Sequence, residues 1–76
     1  MNKNRDSDRL IKFGENLRKI RLELNLSQDN VAERCDVTKG NLSMIENGNK
    51  DFTFSTLLEI AKGMNIEPKK LLDFKL

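Results

Sequence analysis

Two short helical patterns lie only four residues apart in the middle of this chain, in the segment SQDNVAERCDVTKGNLSMIENG (residues 27–48). Ser27 precedes the first pattern and Thr38 the second, and both are favoured N-caps because their hydroxyl oxygens accept bonds from free helix N–H groups. Asn47-Gly48 follows the second pattern, as is typical of residues that end a helix. The connection, residues 35–38, is so short that the two helices must pack against each other at a steep angle.

This helix-turn-helix arrangement places requirements on particular positions, and the segment meets them. A small residue is needed where the two helices cross, and apolar side chains must line the inner side of both helices. Counting Gln28 as the first position, the fourth, fifth, eighth, tenth, fifteenth and eighteenth positions are Val31, Ala32, Cys35, Val37, Leu42 and Ile45. All six are small or apolar. We therefore expect Cys35 to pack as a small hydrophobe rather than to act as a reactive thiol.

Residues before the central segment predict a first helix. It should begin at a cap formed by Ser7 or Asp8, after a flexible tail of residues 1–7, and should end near Glu23. Its inward residues recur three and four positions apart, as one face of a helix requires: Leu10, Phe13, Leu17, Ile20 and Leu24. Asn25 is expected to end the helix in the left-handed conformation.

Two more helices are predicted after the central segment. Thr53 should cap a fourth helix, whose inward residues we take to be Phe54, Leu57, Leu58, Ala61 and Met64. Pro68 suits the first turn of a fifth helix, which carries Leu71 and Leu72. No segment alternates as a strand would, so the pattern predicts an all-α domain of five helices over residues 8–76.

Composition limits the possible functions without choosing one of them. The chain has 76 residues, enough for one small domain, and its charged residues nearly cancel at a net charge of +2. Charge alone therefore does not identify a nucleic-acid binder. With one cysteine and no histidine, we expect no metal, no cofactor and no enzyme activity. No signal region and no apolar run of bilayer length is present, so we expect a cytoplasmic protein without a membrane partner.

Three stretches carry a family resemblance: FGENLRKIRLELNLSQ, IENG and FSTLLEIAKGMNIEPKKLL. They resemble the first helix, the end of the recognition helix, and the last two helices of the lambda-repressor-like, Xre-type family of DNA-binding domains. The resemblance extends from about Leu10 to Phe74 and implies a five-helix domain in which helices 2 and 3 form the helix-turn-helix. Asp36 departs from the family's usual glycine in the turn, and we expect it to adopt a positive φ. Phe52 stands where the family often has proline.

The outward face of the third helix is the predicted reading surface, since the family places this helix in the major groove. At 100° per residue, Leu42 and Ile45 lie on the side opposite to this face. The residues predicted to read bases are Lys39, Gly40, Asn41, Ser43 and Met44. Lys39 suits guanine, Asn41 suits adenine, and Met44 suits the methyl group of thymine.

Phosphate contacts are predicted at the borders of the motif, where free backbone N–H groups begin its helices. The residues are Ser27, Gln28, Thr38, Asn47, Asn49 and Lys50. The resemblance places Gln28 where the family contacts a phosphate or a base. It also implies an ion pair between Arg21 and Glu46 that ties the first helix to the end of the third.

These expectations describe a sequence-specific DNA-binding transcriptional regulator, a repressor or autoregulator. It would bind a two-fold operator in double-stranded DNA as a homodimer, because one such domain buries a modest surface. Phe74 and Leu76 are left over beyond the inward stripe of the fifth helix, so we predict that they form the dimer contact. The alternative is a protein-interaction module, such as an antitoxin-type partner of another protein. The sequence does not separate antitoxins from restriction–modification controllers.

Overall fold

Helices form all the regular secondary structure in the described part of the chain. The structure, a computed structural model, describes the backbone of residues 3–75 and the side chains of residues 7–75. Its helices are α1 (Lys3–Glu23), α2 (Gln28–Glu33), α3 (Lys39–Glu46), α4 (Phe54–Met64) and α5 (Pro68–Leu71). The predicted all-α, five-helix fold is confirmed. Within these residues no helix is both long and apolar enough to cross a bilayer.

Helix α1 begins before its apolar pattern does. It starts at Lys3, so the N-cap predicted at Ser7 or Asp8 is wrong, and residues 3–7 of the predicted tail are helical. None of those residues is apolar, so they offered no periodicity from which to predict a helix. Once packing has nucleated a helix, each added residue costs little, and the helix extends into a polar segment. Residues 1–2 lie outside the described part of the chain.

One hydrophobic core is shared by all five helices. α3 packs between α1 and α2, and α5 packs against α1 and α4. The buried apolar residues are Phe13, Leu17, Val31, Val37, Leu42, Ile45, Leu57, Ile60, Ala61, Met64 and Leu71. The predicted inner residues of the helix-turn-helix, Val31, Val37, Leu42 and Ile45, are among them.

The inward face of α4 differs from the prediction. Phe54 is 69% exposed and Leu58 is 40% exposed, whereas Ile60, which was not predicted to face inward, is fully buried. Leu58 is rotated by about 100° from the buried Leu57, which carries it to the flank of the helix. Leu72, predicted to pack with Leu71, is also more than half exposed. These predictions were wrong because the sequence offers more apolar residues than one helix face can bury.

Hydroxyl side chains begin the three middle helices, as predicted. The hydroxyls of Ser27, Thr38 and Thr53 accept bonds from the N–H groups of Asn30, Asn41 and Thr56 at 3.0, 3.1 and 3.2 Å. At α2, Oδ1 of Asn30 also accepts a bond from the N–H of Ser27 at 3.0 Å, which completes a capping box. Asparagine performs here what Glu or Gln usually performs.

The turn between α2 and α3 does not use the positive φ that was expected at Asp36. Asn25 has the predicted left-handed conformation, with φ of 59°, but Asp36 does not adopt a positive φ. The N–H of Asp36 instead donates to Oε1 of Glu59 in α4 at 2.9 Å. A bond from another helix therefore fixes the turn without left-handed strain. Cys35 is half-buried against the core, and its thiol donates to the carbonyl oxygen of Val31 at 3.3 Å.

The end of the chain covers the core. Phe74 is half-buried, and its ring lies edge-on to Phe13 with the ring centroids 6.0 Å apart. Phe52, which stands where the family often has proline, packs on the ring of Phe13 with the ring centroids 4.7 Å apart. The premise that Phe74 is left over for a dimer contact is therefore wrong, because Phe13 of the same chain is its partner. Leu76, the other predicted contact, lies outside the described residues.

Candidate nucleic-acid interface

Helix α3 presents one outward face. Leu42 and Ile45 are buried, which turns the opposite side of the helix towards solvent. On that side the exposed residues are Lys39, Gly40, Met44 and Asn47, and the half-buried ones are Asn41 and Ser43. A Cβ built on Gly40 would meet no atom within 4 Å. The backbone of the first turn is therefore open to close approach by a ligand.

Two lysines lie on or beside this face, and each has a polar neighbour. Nζ of Lys50, in the loop after α3, donates to Oδ1 of Asn41 at 2.7 Å. Nζ of Lys39 lies 3.5 Å from Oδ2 of Asp29 in α2, and both side chains are mostly exposed. An exposed pair of this kind contributes about 1 kcal/mol or less, so Lys39 can exchange its partner for DNA. The Lys50 contact takes one of the two acceptor positions of the amide oxygen that Asn41 would use for adenine. This contact could not be predicted from the sequence alone.

The predicted phosphate residues surround the face of α3. The hydroxyls of Ser27 and Thr38 act as acceptors in their caps, which leaves each O–H proton able to donate to an anion. Asn47, Asn49 and Lys50 are exposed in the segment that follows α3. The N–H of Asn49 donates to the carbonyl oxygen of Met44 at 2.9 Å, so this segment is bonded back to the helix.

A buried ion pair joins α1 to the last residue of α3. Nε of Arg21 donates to Oε2 of Glu46 at 2.7 Å, and Nη2 donates to Oε1 at 3.0 Å. Arg21 is 7% exposed and Glu46 is 5% exposed. Nη1 of Arg21 donates to the carbonyl oxygen of Leu26 at 2.8 Å, so the same side chain also holds the loop between α1 and α2. The two residues stand in the arrangement that the family resemblance implied.

Gln28 belongs to this buried network as well as to the surface. Its Nε2 donates to Oε1 of Glu46 at 3.1 Å, and its side chain is half-buried. The first residue of α2 is thus bonded to the last residue of α3. Sequence reasoning placed Gln28 among the phosphate contacts but missed this bond, because the two residues are 18 positions apart on different helices.

The chemistry offered by this surface is that of binding. Lysine amines, amide groups and hydroxyls supply hydrogen-bond donors, and the thioether of Met44 supplies an apolar contact. Among the described residues, no group of three or more His, Cys, Asp or Glu side chains is arranged to hold a metal ion.

Comparison with known proteins gives a consistent assignment. The family model of the helix-turn-helix domain matches residues 14–75. The chain is 38% identical over 63 residues to control protein C.BamHI of Bacillus amyloliquefaciens. The matched segment covers 82% of this chain and 78% of that protein. The restriction-modification controller protein C.AhdI from Aeromonas hydrophila is similar in structure, with a TM-score of 0.80 at 30% identity, over 84% of this chain and 97% of that one.

A second similar structure was solved with its ligand. It is the tetramer of the restriction-modification controller protein C.Esp1396I in complex with its natural 35 base-pair operator. Its TM-score is 0.72 at 26% identity, over 84% of this chain and 95% of that one. A five-helix domain with an exposed third helix of this kind is the DNA-binding unit of a transcriptional regulator. The chain belongs to the helix-turn-helix family, in its Xre-like branch.

Proposed function

We propose that this chain is a controller-type repressor or autoregulator that binds a two-fold operator in double-stranded DNA as a homodimer. The observation that carries the proposal is the exposed face of α3, held outward by the buried Leu42 and Ile45. Likeness to control proteins supports a controller over an antitoxin. The operator complex of C.Esp1396I supports DNA as the ligand and an oligomer as the binding form. The protein would act in the cytoplasm by binding alone, without catalysis or cofactor.

Base reading is proposed for the exposed face of α3 in the major groove. Lys39 would donate to O6 and N7 of guanine after leaving Asp29, and Met44 would contact the methyl group of thymine. Gly40 would let the backbone approach the groove, with Ser43 beside it. Asn41 would pair with adenine through its amide group, whose oxygen keeps one acceptor position open while Lys50 occupies the other.

Phosphate binding is proposed for the residues that border α3. Lys50 would turn from Asn41 to a phosphate, which is the stronger acceptor because it is charged. The other donors are the hydroxyls of Ser27 and Thr38, the side-chain amides of Asn47 and Asn49, and Gln28. Such contacts fix the position of the protein on the duplex without carrying sequence information.

Paired lysine substitutions test this assignment of roles. Lys39→Ala should weaken operator binding by about 1–3 kcal/mol and relax the preference at one base pair in each half-site. Lys50→Ala should weaken binding to all sequences alike and reduce the slope of log affinity against log salt by about one. The operator itself can be found by selecting bound sequences from a random duplex pool.

Two outcomes would contradict the proposal. If both lysine variants lost affinity uniformly across sequences, the base-reading face would be misassigned. If the wild-type protein selected no preferred duplex, even at low salt, the alternative would be favoured. That alternative is a protein-interaction module, and the internal partners of Lys39 and Lys50 are the observation on its side.

The dimer contact that we propose is the exposed side of α4, formed by Phe54 and Leu58 and called here the α4 patch. These residues lie one helical turn apart and therefore face the same way. Phe54, at 69%, is the most exposed large apolar side chain among the described residues. Two α4 patches can meet about a two-fold axis in a self-complementary contact. Stable dimers bury about 1,200–2,000 Å² in total, so a contact this small should form fully only on DNA.

A further inference from the structure

The bond between Gln28 and Glu46 connects a surface residue to a buried ion pair. Oε1 of Glu46 accepts two bonds, one from Nη2 of Arg21 at 3.0 Å and one from Nε2 of Gln28 at 3.1 Å. Oε2 is occupied by Nε of Arg21 at 2.7 Å. The carboxylate therefore cannot turn towards or away from Gln28 without breaking its bonds to Arg21.

The chemistry of the carboxylate fixes how the Gln28 amide is oriented. An ionised carboxylate only accepts hydrogen bonds, so the atom of Gln28 that faces Glu46 must be Nε2. Reversing the amide would set its oxygen against the Glu46 oxygen. One N–H and the amide oxygen of Gln28 then remain free, in a fixed direction at the first residue of α2.

We propose that Glu46, held by Arg21, is a positioning residue for Gln28, and that the contact of Gln28 with DNA depends on this buried pair. The inference rests on the proposed function, since it deepens the role of one residue at the DNA surface. A long polar side chain loses rotamer freedom when it binds a ligand. Because Glu46 has already ordered Gln28, less of this loss falls on DNA binding.

A purely structural reading of the same bond makes a different prediction. If the bond only fastens α2 to α3, Gln28 contributes the same factor to DNA affinity whether or not Glu46 is present. If Glu46 positions Gln28, the contribution of Gln28 disappears when the carboxylate is removed. The two readings differ in a coupling, which a double-mutant cycle measures directly.

The cycle uses two folded backgrounds, the wild-type chain and the double variant Arg21→Met with Glu46→Leu. That variant replaces the ion pair by apolar side chains, which commonly preserves folding. Gln28→Ala is added to each background, and operator affinity is measured well below the melting temperature. We expect Gln28→Ala to weaken binding about three- to ten-fold in the wild type and less than about two-fold in the double variant, as loss of a pre-ordered contact requires. An equal factor in both backgrounds would overturn the proposal.

A second measurement needs no substitution. Gln28 is the single glutamine of the chain, so its side-chain amide gives one identifiable NMR signal pair. Its ¹⁵N relaxation in the DNA-free protein should approach that of the helix backbone, while the exposed amide of Asn47 should be mobile and serves as control. A Gln28 amide as mobile as that of Asn47 would refute positioning. This result stands apart from the proposed function, which fails only if the wild-type protein selects no operator.

Discussion

Gly14→Ala should destabilise this protein, although alanine is the better helix former. Gly14 lies in the interior of α1, where glycine costs about 1 kcal/mol relative to alanine. The structure explains why glycine is needed. A Cβ built on Gly14 would collide with the backbone carbonyl oxygens of Ile45 and Glu46, at the end of α3. α1 and α3 therefore cross in direct backbone contact at this point.

The size of the effect follows from the atoms involved. Nonbonded carbon contacts need about 3.5 Å, so the helices would have to separate by about 1 Å to accept the methyl group. Backbone oxygens cannot rotate out of the way as a flexible side chain can. Overpacking of this kind costs about 1–3 kcal/mol, and we take the upper value because backbone must move. After the helix-propensity gain of about 1 kcal/mol, the net loss should be about 2 kcal/mol.

Thermal and urea unfolding measure this loss, with Gly40→Ala as the matched control. For a domain of this size, about 2 kcal/mol corresponds to a fall in melting temperature of about 8–16 °C. A Cβ on Gly40 meets no atom within 4 Å, so Gly40→Ala should be neutral or stabilising by up to about 1 kcal/mol. A Gly14→Ala variant as stable as the wild type would show that α1 and α3 do not touch through their backbones at Gly14.

Three further sets of substitutions test the contacts that hold the fold and the dimer. Arg21→Ala should lower the free energy of unfolding by about 3–5 kcal/mol because it leaves Glu46 buried without its partner. The double variant Arg21→Met with Glu46→Leu should recover most of the lost stability in thermal melts. Glu59→Ala should cost about 1 kcal/mol by freeing the N–H of Asp36, whereas Glu59→Gln keeps an acceptor and should cost clearly less in the same melts. Phe54→Ser should change stability by about 0.5 kcal/mol or less but weaken cooperative binding to a full operator relative to a half-site. Unchanged cooperativity would exclude the α4 patch.

The helices could be predicted from the sequence wherever a local signal marks them. Ser27, Thr38 and Thr53 begin helices because a hydroxyl acts on N–H groups two or three residues away, which is a purely local effect. No local signal marks the start of α1, and the predicted start of that helix was wrong. Phe54 and Leu58 were misassigned for a different reason. Burial depends on where other helices touch α4, and apolar character alone does not contain that information.

The candidate site likewise has features that could be predicted from the sequence and features that could not. The outward face of α3 follows from helix geometry once Leu42 and Ile45 are recognised as inward residues. The bonds from Lys50 to Asn41, from Asp36 to Glu59 and from Gln28 to Glu46 could not be predicted from the residues alone. They join positions 9, 23 and 18 residues apart, and they exist only because packing brings separate elements together.

Residues at the end of α3 serve both the stability of the fold and the recognition of DNA. Glu46 lies against Gly14 through its backbone and bonds to Arg21 and Gln28 through its side chain. A chain with a net charge of only +2 gains little general attraction to DNA, so its affinity must come from a few well-placed donors. Such donors are effective only if α3 is held at a fixed depth and angle. The residues of α1 that hold it there therefore contribute to DNA recognition, although none of them needs to touch a base.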